Sequence, residues 1–447
     1  MDTKYTKSKY NINISHNKKQ YIFNTFTKSL IEITDDICNA INNNVFFDSR
    51  NNYPIRKILE ENGILVDSNR NEFEELIRIY NTYSNDNSFS VITIHTTLDC
   101  NFDCVYCIQK DILPNQSTLI SSNEYDKILI QFFKNYLIEY QISTVKIIWS
   151  GGEPLMAWRR IKDLTNKMVA FCLERNIAYS AEMVSNGSLL TNSIATELKK
   201  YFIQSIQITL DGPPEIHNVR RKTKTGKGTF NQVLKGIINA AQIDIFITLR
   251  INIDKENIEF YNDFLNMLSK RFAKYKNVFI SPERVVGNTK PGITNTNYTL
   301  KEFSCLEQKL KEDLKEYQDD FGLKNQRINL RCTAHHNYSL SIDNELNLFR
   351  CTAQTGHIQF SIGNIDKNGK INWKNELQDL EDNFEKIPVM CSTCRVMPLC
   401  MGYCILGGCS EEKSKIHCIE GCITSKYNIE NKIMSLITKM EHAENPE

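Results

Sequence analysis

The chain has no long apolar run and almost no excess of charge of either sign. No segment approaches the roughly 18 apolar residues that cross a membrane, and the residues after Met1 lack the apolar stretch of a secretion signal. With 54 basic and 53 acidic residues, the formal net charge is +1. Such a balance gives no sign of binding to nucleic acid or to an anionic membrane. We therefore expect a cytoplasmic protein with no nucleic-acid and no membrane partner.

Cysteine, by contrast, is abundant, with 15 residues in a chain of 447. Because cytoplasmic thiols stay reduced, this number favours metal binding over disulfides. Seven of the cysteines fall in the last sixty residues, whereas Cys38 and Cys172 stand alone. Cys172 lies in an apolar pattern of helical period, which predicts core packing. The length allows two or three domains.

The centre of the sequence is a trio of cysteines, Cys100, Cys104 and Cys107, which follows a strand-like run at 91–97. Iron–sulfur clusters are normally held by four thiolates. Three thiolates leave one iron open, and an open metal position is where a cofactor or substrate binds. The alternatives are three buried cysteines in a loop or half of a zinc site. The segment Gly151-Gly152-Glu153-Pro154, after a second strand-like run, favours the cluster.

Together these two motifs resemble the signature of radical S-adenosylmethionine (radical SAM) enzymes, with Tyr106 as the aromatic residue before the last cysteine. The resemblance implies a 4Fe–4S cluster on the three cysteines, bound S-adenosyl-L-methionine, and a 5′-deoxyadenosyl radical formed by its reductive cleavage. It gives the catalytic role to the three cysteines. It assigns cofactor binding to Gly151, Gly152, Glu153, Pro154, Ser185, Asn186 and Thr209. Glycines would let the backbone approach the ligand closely.

From residue 91 onward, strand-like and helical segments alternate. The strand-like runs lie at 91–97, 145–149, 179–185, 206–210, 245–251 and 277–281. Such alternation predicts a parallel sheet, and six units agree with the α/β fold that the resemblance implies, a partial (β/α)6, TIM-like radical SAM barrel. Parallel barrels present their chemistry at the carboxyl ends of the strands, where both motifs fall. We expect the barrel over 91–300 and a helical connector over 301–330.

A further strand end carries the segment 209–217, which includes Asp211-Gly212-Pro213. It resembles a segment shared by anaerobic sulfatase-maturing enzymes and ribosomal-peptide maturases. The alternative is ordinary turn chemistry, for which Asp-Gly-Pro is well suited anywhere. Asp211 and Glu215 are candidates for contact with substrate, and we expect His217 to be structural.

Residues 1–90 predict a small separate domain. Strand-like segments at 21–25 and 29–33 form a hairpin, and helices near 34–43 and from 55 precede a strand at 64–66. This pattern is typical of a winged-helix-like domain. It resembles the peptide-recognition element fused to many peptide-maturing radical SAM enzymes, in which an extended leader peptide adds a strand to a sheet edge. The alternative is a domain that only covers the barrel opening. On the leader-binding hypothesis, removing residues 1–85 leaves the clusters intact.

The remaining cysteines surround a predicted hairpin over 338–351 and continue as Cys391-x2-Cys394-x5-Cys400-x3-Cys404. On spacing alone, a zinc ribbon is the better interpretation. After a radical SAM barrel, however, the pattern resembles the SPASM extension, here 331–447, which holds auxiliary iron–sulfur clusters. Leu346 stands where that family has a glycine, so we expect a reshaped turn.

The resemblance implies which cysteines hold each auxiliary cluster. One cluster takes Cys332, Cys351 and Cys404, and the other takes Cys391, Cys394, Cys400 and Cys422. The fourth ligand of the first cluster stays open among Cys305, Cys409 and Cys418.

These patterns lead to the hypothesis of a radical SAM peptide maturase with three 4Fe–4S clusters, one that binds S-adenosylmethionine and two auxiliary. It would install a thioether or carbon–carbon crosslink in a ribosomally made precursor peptide. Its partners would be that precursor with its leader and a one-electron reductant such as ferredoxin or flavodoxin. One alternative is an anaerobic sulfatase-maturing enzyme that forms formylglycine. Another is a non-enzymatic iron–sulfur or zinc-binding module, which has no need for the SAM pocket at Gly151–Glu153.

Overall fold

The computed structural model describes residues 5–43, 53–109, 122–285, 297–312, 332–374, 389–401, 422–423 and 425–444. Three of the candidate cluster ligands, Cys404, Cys409 and Cys418, lie outside these ranges. Among the described helices, none is both long enough and apolar enough to cross a membrane.

The described residues of the N-terminal region, 5–43 and 53–88, form two small sheets and three helices. The larger sheet is antiparallel and has the strand order β2-β3-β4, with β2 (Asn11–His16), β3 (Lys19–Asn24) and β4 (Leu30–Ile33). The predicted hairpin of β3 and β4 is therefore confirmed, and β2 is an additional strand. β1 (Tyr5–Lys7) pairs with β5 (Leu65–Asp67). The helices are α1 (Asp35–Asn42), α2 (Tyr53–Glu61) and α3 (Glu72–Ser84).

Both faces of the β2–β4 sheet are covered. Because side chains alternate between the two faces of a strand, β3 contributes residues to both faces. One face packs on α1 and α2 through Ile22, Ile33, Ile41 and Leu59. The other face packs on the C-terminal region, through a cluster of Ile12, Ile14, Tyr21, Phe23, Val396, Leu399, Ile429, Ile433 and Ile437. The N-terminal sheet therefore shares a hydrophobic core with the cysteine-rich end of the chain.

Six parallel strands form the central sheet in sequence order. They are β6 (Phe89–Thr97), β8 (Thr144–Gly151), β9 (Ala178–Ser185), β10 (Ile203–Thr209), β12 (Phe246–Ile253) and β13 (Val278–Arg284). All six predicted strands are confirmed. Their neighbours in sequence are α4 (Ser122–Glu139), α5 (Trp158–Glu174), α6 (Asn192–Leu198), α7 (Pro214–Arg220), α8 (Phe230–Ala241) and α9 (Tyr261–Phe272). Two short strands, β7 (Phe102–Cys104) and β11 (Arg221–Thr223), pair separately.

The C-terminal region extends this sheet. It contains α10 (Leu300–Glu312), β14 (Leu340–Ile342), β15 (Asn347–Phe349), β16 (Gly363–Ile365), β17 (Ile371–Trp373), α11 (Met397–Cys400) and α12 (Ser425–Glu444). β14 lies parallel to β6 and pairs with it from Leu340 to Ile342. Because β14 occupies the edge of β6 that β13 would need for closure, the barrel stays open. The predicted partial barrel and the predicted hairpin are both confirmed.

The turn between β14 and β15 contains a leucine with an unusual backbone conformation. Leu346 adopts a φ of 66°, the left-handed region that glycine favours, and its side chain is buried in the core. Leucine thus holds a glycine-like backbone conformation at this turn, and burial of its side chain offsets the strain.

Candidate active site

The carboxyl ends of the parallel strands bring the predicted site residues to one edge of the sheet. The cysteine loop, residues 100–107, follows β6. The Gly151-Gly152 turn ends β8, and Ser185-Asn186 ends β9. Asn186 joins two of these elements, because its amide donates to Asn101 Oδ1 at 2.7 Å and lies 3.9 Å from Cys100 Sγ. Cys100 Sγ also accepts the backbone N–H of Phe102 at 3.4 Å.

The three cysteines are free and only partly buried. Burial raises the pKa of the Cys100 thiol, and it raises that of Cys104 to about 11, with the charge of Arg221 acting in the opposite direction. Thiolates are the form that binds metal, so bound iron would have to offset this cost.

Within the described ranges, no three His, Cys, Asp or Glu side chains converge tightly enough to share a single metal ion. A four-iron cluster makes a different demand, one thiolate for each iron. The cysteine loop meets that demand with three free thiols on one short loop, and N–H groups point at the Cys100 sulfur. The donor set therefore fits a cluster with one open iron better than a single zinc ion.

The two glycines serve the packing of the loop as well as any ligand. A Cβ atom on Gly151 would lie 2.2 Å from the Thr97 carbonyl oxygen, and one on Gly152 would lie 2.2 Å from that of Asp99. The N–H groups of Gly152 and Glu153 donate to these same carbonyls at 2.8 and 2.9 Å. The turn thus packs directly on the backbone that leads into Cys100. These N–H groups are engaged within the protein, and the structure gives a second reason for the glycines.

Glu153 is fully buried, and its carboxylate joins the ends of β8 and β9. It accepts hydrogen bonds from the N–H of Leu155 at 3.0 Å, the hydroxyl of Ser185 at 2.7 Å and the N–H of Asn186 at 2.7 Å. Burial raises the pKa of Glu153, and these hydrogen bonds oppose that shift. Its described contacts make Glu153 a residue that positions Asn186 next to the cysteine loop.

The other two residues predicted to bind cofactor lie at the same edge. Pro154 is buried and opens a 3-10 turn, Pro154–Ala157, that leads into α5. Thr209 is half-buried at the end of β10, opposite Arg250 of β12. Both positions agree with the predicted site without assigning either residue a contact to a ligand.

A buried polar network beside the cysteine loop was not predicted as part of the site. The Tyr106 hydroxyl donates to Asp211 Oδ2, and it accepts from Arg221 Nη1 at 2.9 Å and from Asn252 Nδ2 at 3.1 Å. Arg220 in turn pairs with Asp254 at 2.8 Å. The signal for this network was present in the segment around Asp211, but the segment alone did not indicate which residues it meets.

Of the auxiliary-cluster cysteines, the structure brings one group together. Cys391 lies close enough to Cys394 and Cys422 for their charges to raise its pKa, although burial is the larger cause of a value of about 11. Lys426 Nζ donates to Cys422 Sγ at 3.4 Å. Cys400 ends α11 in the same region.

The cysteines predicted for the other auxiliary cluster lie on either side of the hairpin. Cys332 precedes β14, and Cys351 follows β15, so both lie toward the open end of the β14–β15 hairpin. Cys332 is exposed and Cys351 is buried. Cys305 is exposed on α10.

Comparison with known protein families matches residues 94–268 to the radical SAM superfamily. The chain is 30% identical over 169 residues to the Fe-coproporphyrin III synthase of Methanosarcina barkeri, covering 38% of each protein. It is 26% identical over 200 residues to the serine-type anaerobic sulfatase-maturating enzyme of Bacteroides thetaiotaomicron, covering 42% of this chain and 45% of that enzyme. The matched stretch thus spans less than half the length of these curated relatives.

Two solved structures share the fold. The enzyme anSMEcpe with bound AdoMet aligns with a TM-score of 0.58 and 17% identity over 78% of this chain and 99% of that chain. Streptococcus suis SuiB bound to S-adenosylmethionine aligns with a TM-score of 0.50 and 14% identity over 92% of this chain and 99% of that chain. The two likenesses show a shared fold, and the family match identifies residues 94–268 as a radical SAM domain.

Proposed function

We propose that this protein is a radical SAM enzyme that acts on a peptide, and specifically a maturase that installs a thioether or carbon–carbon crosslink in a ribosomally made precursor. The observation that carries the proposal is the contact between Asn186 and Cys100 at the carboxyl edge of the sheet. It joins the cysteine loop to the end of β9 that Glu153 holds, which supports a single site built from the cysteine loop, the turn at 151–154 and the end of β9.

When bound, the cluster and S-adenosylmethionine supply the 5′-deoxyadenosyl radical that removes a hydrogen atom from the substrate. Cys100, Cys104 and Cys107 would hold the cluster, and Glu153 orients the Asn186 amide next to it. Two further clusters on the C-terminal cysteines, and an external reductant such as ferredoxin or flavodoxin, belong to the same proposal. The protein's own part is to position the reactants and exclude water.

The most direct experiment measures cleavage of S-adenosylmethionine and needs no substrate. Anaerobically reconstituted protein with dithionite should release 5′-deoxyadenosine, and the Cys100→Ala, Cys104→Ala, Cys107→Ala triple variant should release none. The iron content of the same samples is the control, because the triple variant should lose only the iron of one cluster. Equal release from both proteins would refute the enzymatic function.

The peptide partner is proposed to bind at the free edge of β4. Among the described strands, β4 pairs only with β3. The N–H of Asn24 donates to the Ser29 carbonyl at 2.9 Å, and hydrogen-bonded pairs alternate along an antiparallel ladder. The backbone groups of Ile31 therefore face β3, whereas those of Leu30 and Glu32 face outward. A leader peptide added as a strand would use these outward groups.

A pair of variants at one position tests this docking edge in the full-length protein. Glu32→Pro removes an outward N–H and keeps the β3 ladder, whereas Glu32→Ala removes the same exposed side chain, with its 2.8 Å ion pair to Lys19, and keeps the N–H. A fluorescent leader from a short peptide encoded beside the gene should bind Glu32→Ala like the wild type and Glu32→Pro at least about tenfold more weakly. Equal binding to both variants would remove β4 as the docking edge.

Formylglycine formation is a second candidate, because the chain is similar to a serine-type anaerobic sulfatase-maturating enzyme. The product distinguishes the two functions. An aldehyde formed on a serine or cysteine side chain reacts with a hydrazide probe, whereas a thioether or carbon–carbon crosslink does not. A labelled product after incubation with a sulfatase-derived peptide would favour the second candidate.

A further inference from the structure

The part of the cysteine loop between Cys100 and Tyr106 is paired with a strand from a distant part of the chain. β11 runs antiparallel to β7, with Arg221 opposite Cys104 and Thr223 opposite Phe102. The pairing extends at both ends, since Val105 N–H donates to the Arg220 carbonyl at 3.0 Å and Lys224 N–H donates to the Asn101 carbonyl at 3.2 Å. The backbone that presents Cys104, the middle one of the three cysteines, is therefore held by β11.

The register of β11 is also held by a chain of hydrogen bonds that passes through His217. The N–H of Asp211 donates to His217 Nδ1 at 3.2 Å, so the ring carries its proton on Nε2, which lies 3.0 Å from the Thr229 hydroxyl. The Thr229 hydroxyl donates to the Arg221 carbonyl. These hydrogen bonds connect the turn after β10 to the strand that pairs with the cysteine loop.

Register places the Arg221 side chain next to a cysteine. Residues directly opposite each other in an antiparallel pair lie on the same face, with Cβ atoms about 5 Å apart. Arg221 is 7% exposed, and its guanidinium is fixed by the 2.9 Å hydrogen bond to Tyr106. Lys222, the next residue along β11, belongs to the opposite face and is half-buried, opposite Asp103.

The charge balance of the network depends on Arg221. The buried groups Asp211, Asp254 and Arg220 together carry one negative charge, because one arginine pairs with two carboxylates. Arg221 brings this total to zero. The Glu256 carboxylate also approaches Arg220, at 3.7 Å, but it is largely exposed and therefore screened by solvent. Without Arg221, the Cys104 sulfur would face a net negative charge in a poorly solvated environment.

We infer that Arg221 is a positioning residue that holds the cysteine loop and sets the reduction potential of the cluster on Cys100, Cys104 and Cys107. The inference rests on the proposed function in requiring that cluster. One-electron reduction adds a negative charge to it, and net charge near a cluster is one of the determinants of its potential. A buried positive charge beside Cys104 therefore favours the reduced state and eases electron transfer from the external reductant.

The test is redox titration of the holoprotein followed by electron paramagnetic resonance. The signal of this cluster is the one that a Cys104→Ala variant lacks. Arg221→Gln should shift its midpoint potential to more negative values, and Asp211→Asn should shift it to less negative values. Arg221→Lys, which keeps the charge, should restore most of the wild-type potential. Lys222→Gln is the matched control, since it removes one positive charge from the outer face of β11 and should leave the potential unchanged.

The measured potentials and iron contents either support or overturn the role of Arg221. Unchanged potentials in Arg221→Gln and Asp211→Asn at normal iron content, or shifts of both in the same direction, would overturn the inference. If Arg221→Gln takes up no cluster, its holding role is supported, and the sign of the shift in Asp211→Asn alone decides the electrostatic role. A wild-type protein with no reducible cluster on these cysteines would instead refute the proposed function, so the two failures are distinguishable.

Discussion

At the scale of single residues, His217 illustrates how a buried side chain links strand ends without taking part in chemistry. Its ring is fully buried, and burial lowers its pKa to about 3, with the charges of Arg221 and Arg220 acting in the same direction. It accepts one hydrogen bond and makes another as the neutral form. The expectation from the sequence that His217 is structural agrees with these contacts.

The lowered pKa of His217 predicts a pH dependence of stability. An unfolded histidine has a pKa of about 6.5, so below that pH the unfolded state binds a proton that the folded state does not take up until about pH 3. The contribution of neutral His217 to the free energy of unfolding is therefore fully present above about pH 6.5 and is lost as the pH falls toward 3. Between pH 7 and pH 5, the iron-free wild type should lose about 2 kcal/mol more unfolding free energy than His217→Gln.

Denaturant titrations at the two pH values measure this difference. Both proteins keep His95, a second buried histidine with a pKa lowered to about 4. Its contribution therefore cancels in the comparison. The same pH dependence in both proteins would contradict a neutral, buried His217.

At the scale of elements, the contact between α8 and the turn after β9 holds the Asn186 end of the site. A Cβ atom on Gly236 of α8 would lie 2.0 Å from the Gly187 carbonyl oxygen and 3.1 Å from Leu190 Cβ. Asn239, one helical turn further on, donates to the Leu190 carbonyl at 2.7 Å. Gly187 itself has a φ of 78°, and a Cβ atom there would lie 2.8 Å from Ile208 Cγ2, so the turn also packs closely on β10. Helix and turn are thus packed backbone to backbone.

Gly236→Ala should therefore destabilise the protein. In an ordinary helix this change stabilises by up to about 1 kcal/mol, but here overpacking should cost about 1–3 kcal/mol and displace Asn186 from Cys100. The measurement is the thermal unfolding midpoint together with iron content. Lys235→Ala, an exposed position of the same helix, is the control and should change neither. A raised thermal unfolding midpoint in Gly236→Ala would show that the turn shifts to accommodate the added methyl group at little cost.

At the scale of the whole molecule, the N-terminal region packs on both groups of auxiliary cysteines. The Thr25 hydroxyl donates to the Arg395 carbonyl at 2.5 Å, and Tyr10 packs with Met397 and Met401 beside Cys391 and Cys394. On the other side, the Tyr80 hydroxyl lies 2.8 Å from His335 Nδ1, next to Cys332. The N-terminal region thus supports the loops that carry these cysteines.

This packing reverses the expectation for a truncated protein. Deletion of residues 1–85 exposes the apolar groups around Val396 and Leu399 and removes the hydrogen bonds to the segments that carry the auxiliary cysteines. Iron content after reconstitution should therefore fall well below that of the intact chain, and the remaining iron should be mainly that of the Cys100 cluster. The full-length Glu32→Pro variant, which keeps this packing, is the control and should retain all iron. Full iron in the truncated protein would show that the region is dispensable for the clusters.

Features that depend on short stretches of the chain could be predicted from the sequence. The spacing of Cys100, Cys104 and Cys107 predicted the cluster loop, and alternating apolar segments predicted six parallel strands, because ligand spacing and strand periodicity are properties of short stretches. The β3–β4 and β14–β15 hairpins followed in the same way, since their strands are joined by short turns.

Contacts between distant segments became visible only in the fold. The pairing of β11 with the cysteine loop joins residues more than a hundred positions apart, and the pairing of β14 with β6 joins residues still further apart. No local pattern specifies such contacts, because they depend on how the helices pack the sheet and on which strand edges remain free. For the same reason, the hydrogen bonds of the Glu153 carboxylate with Ser185 and Asn186, and the position of Arg221 opposite Cys104, could be read only from the fold.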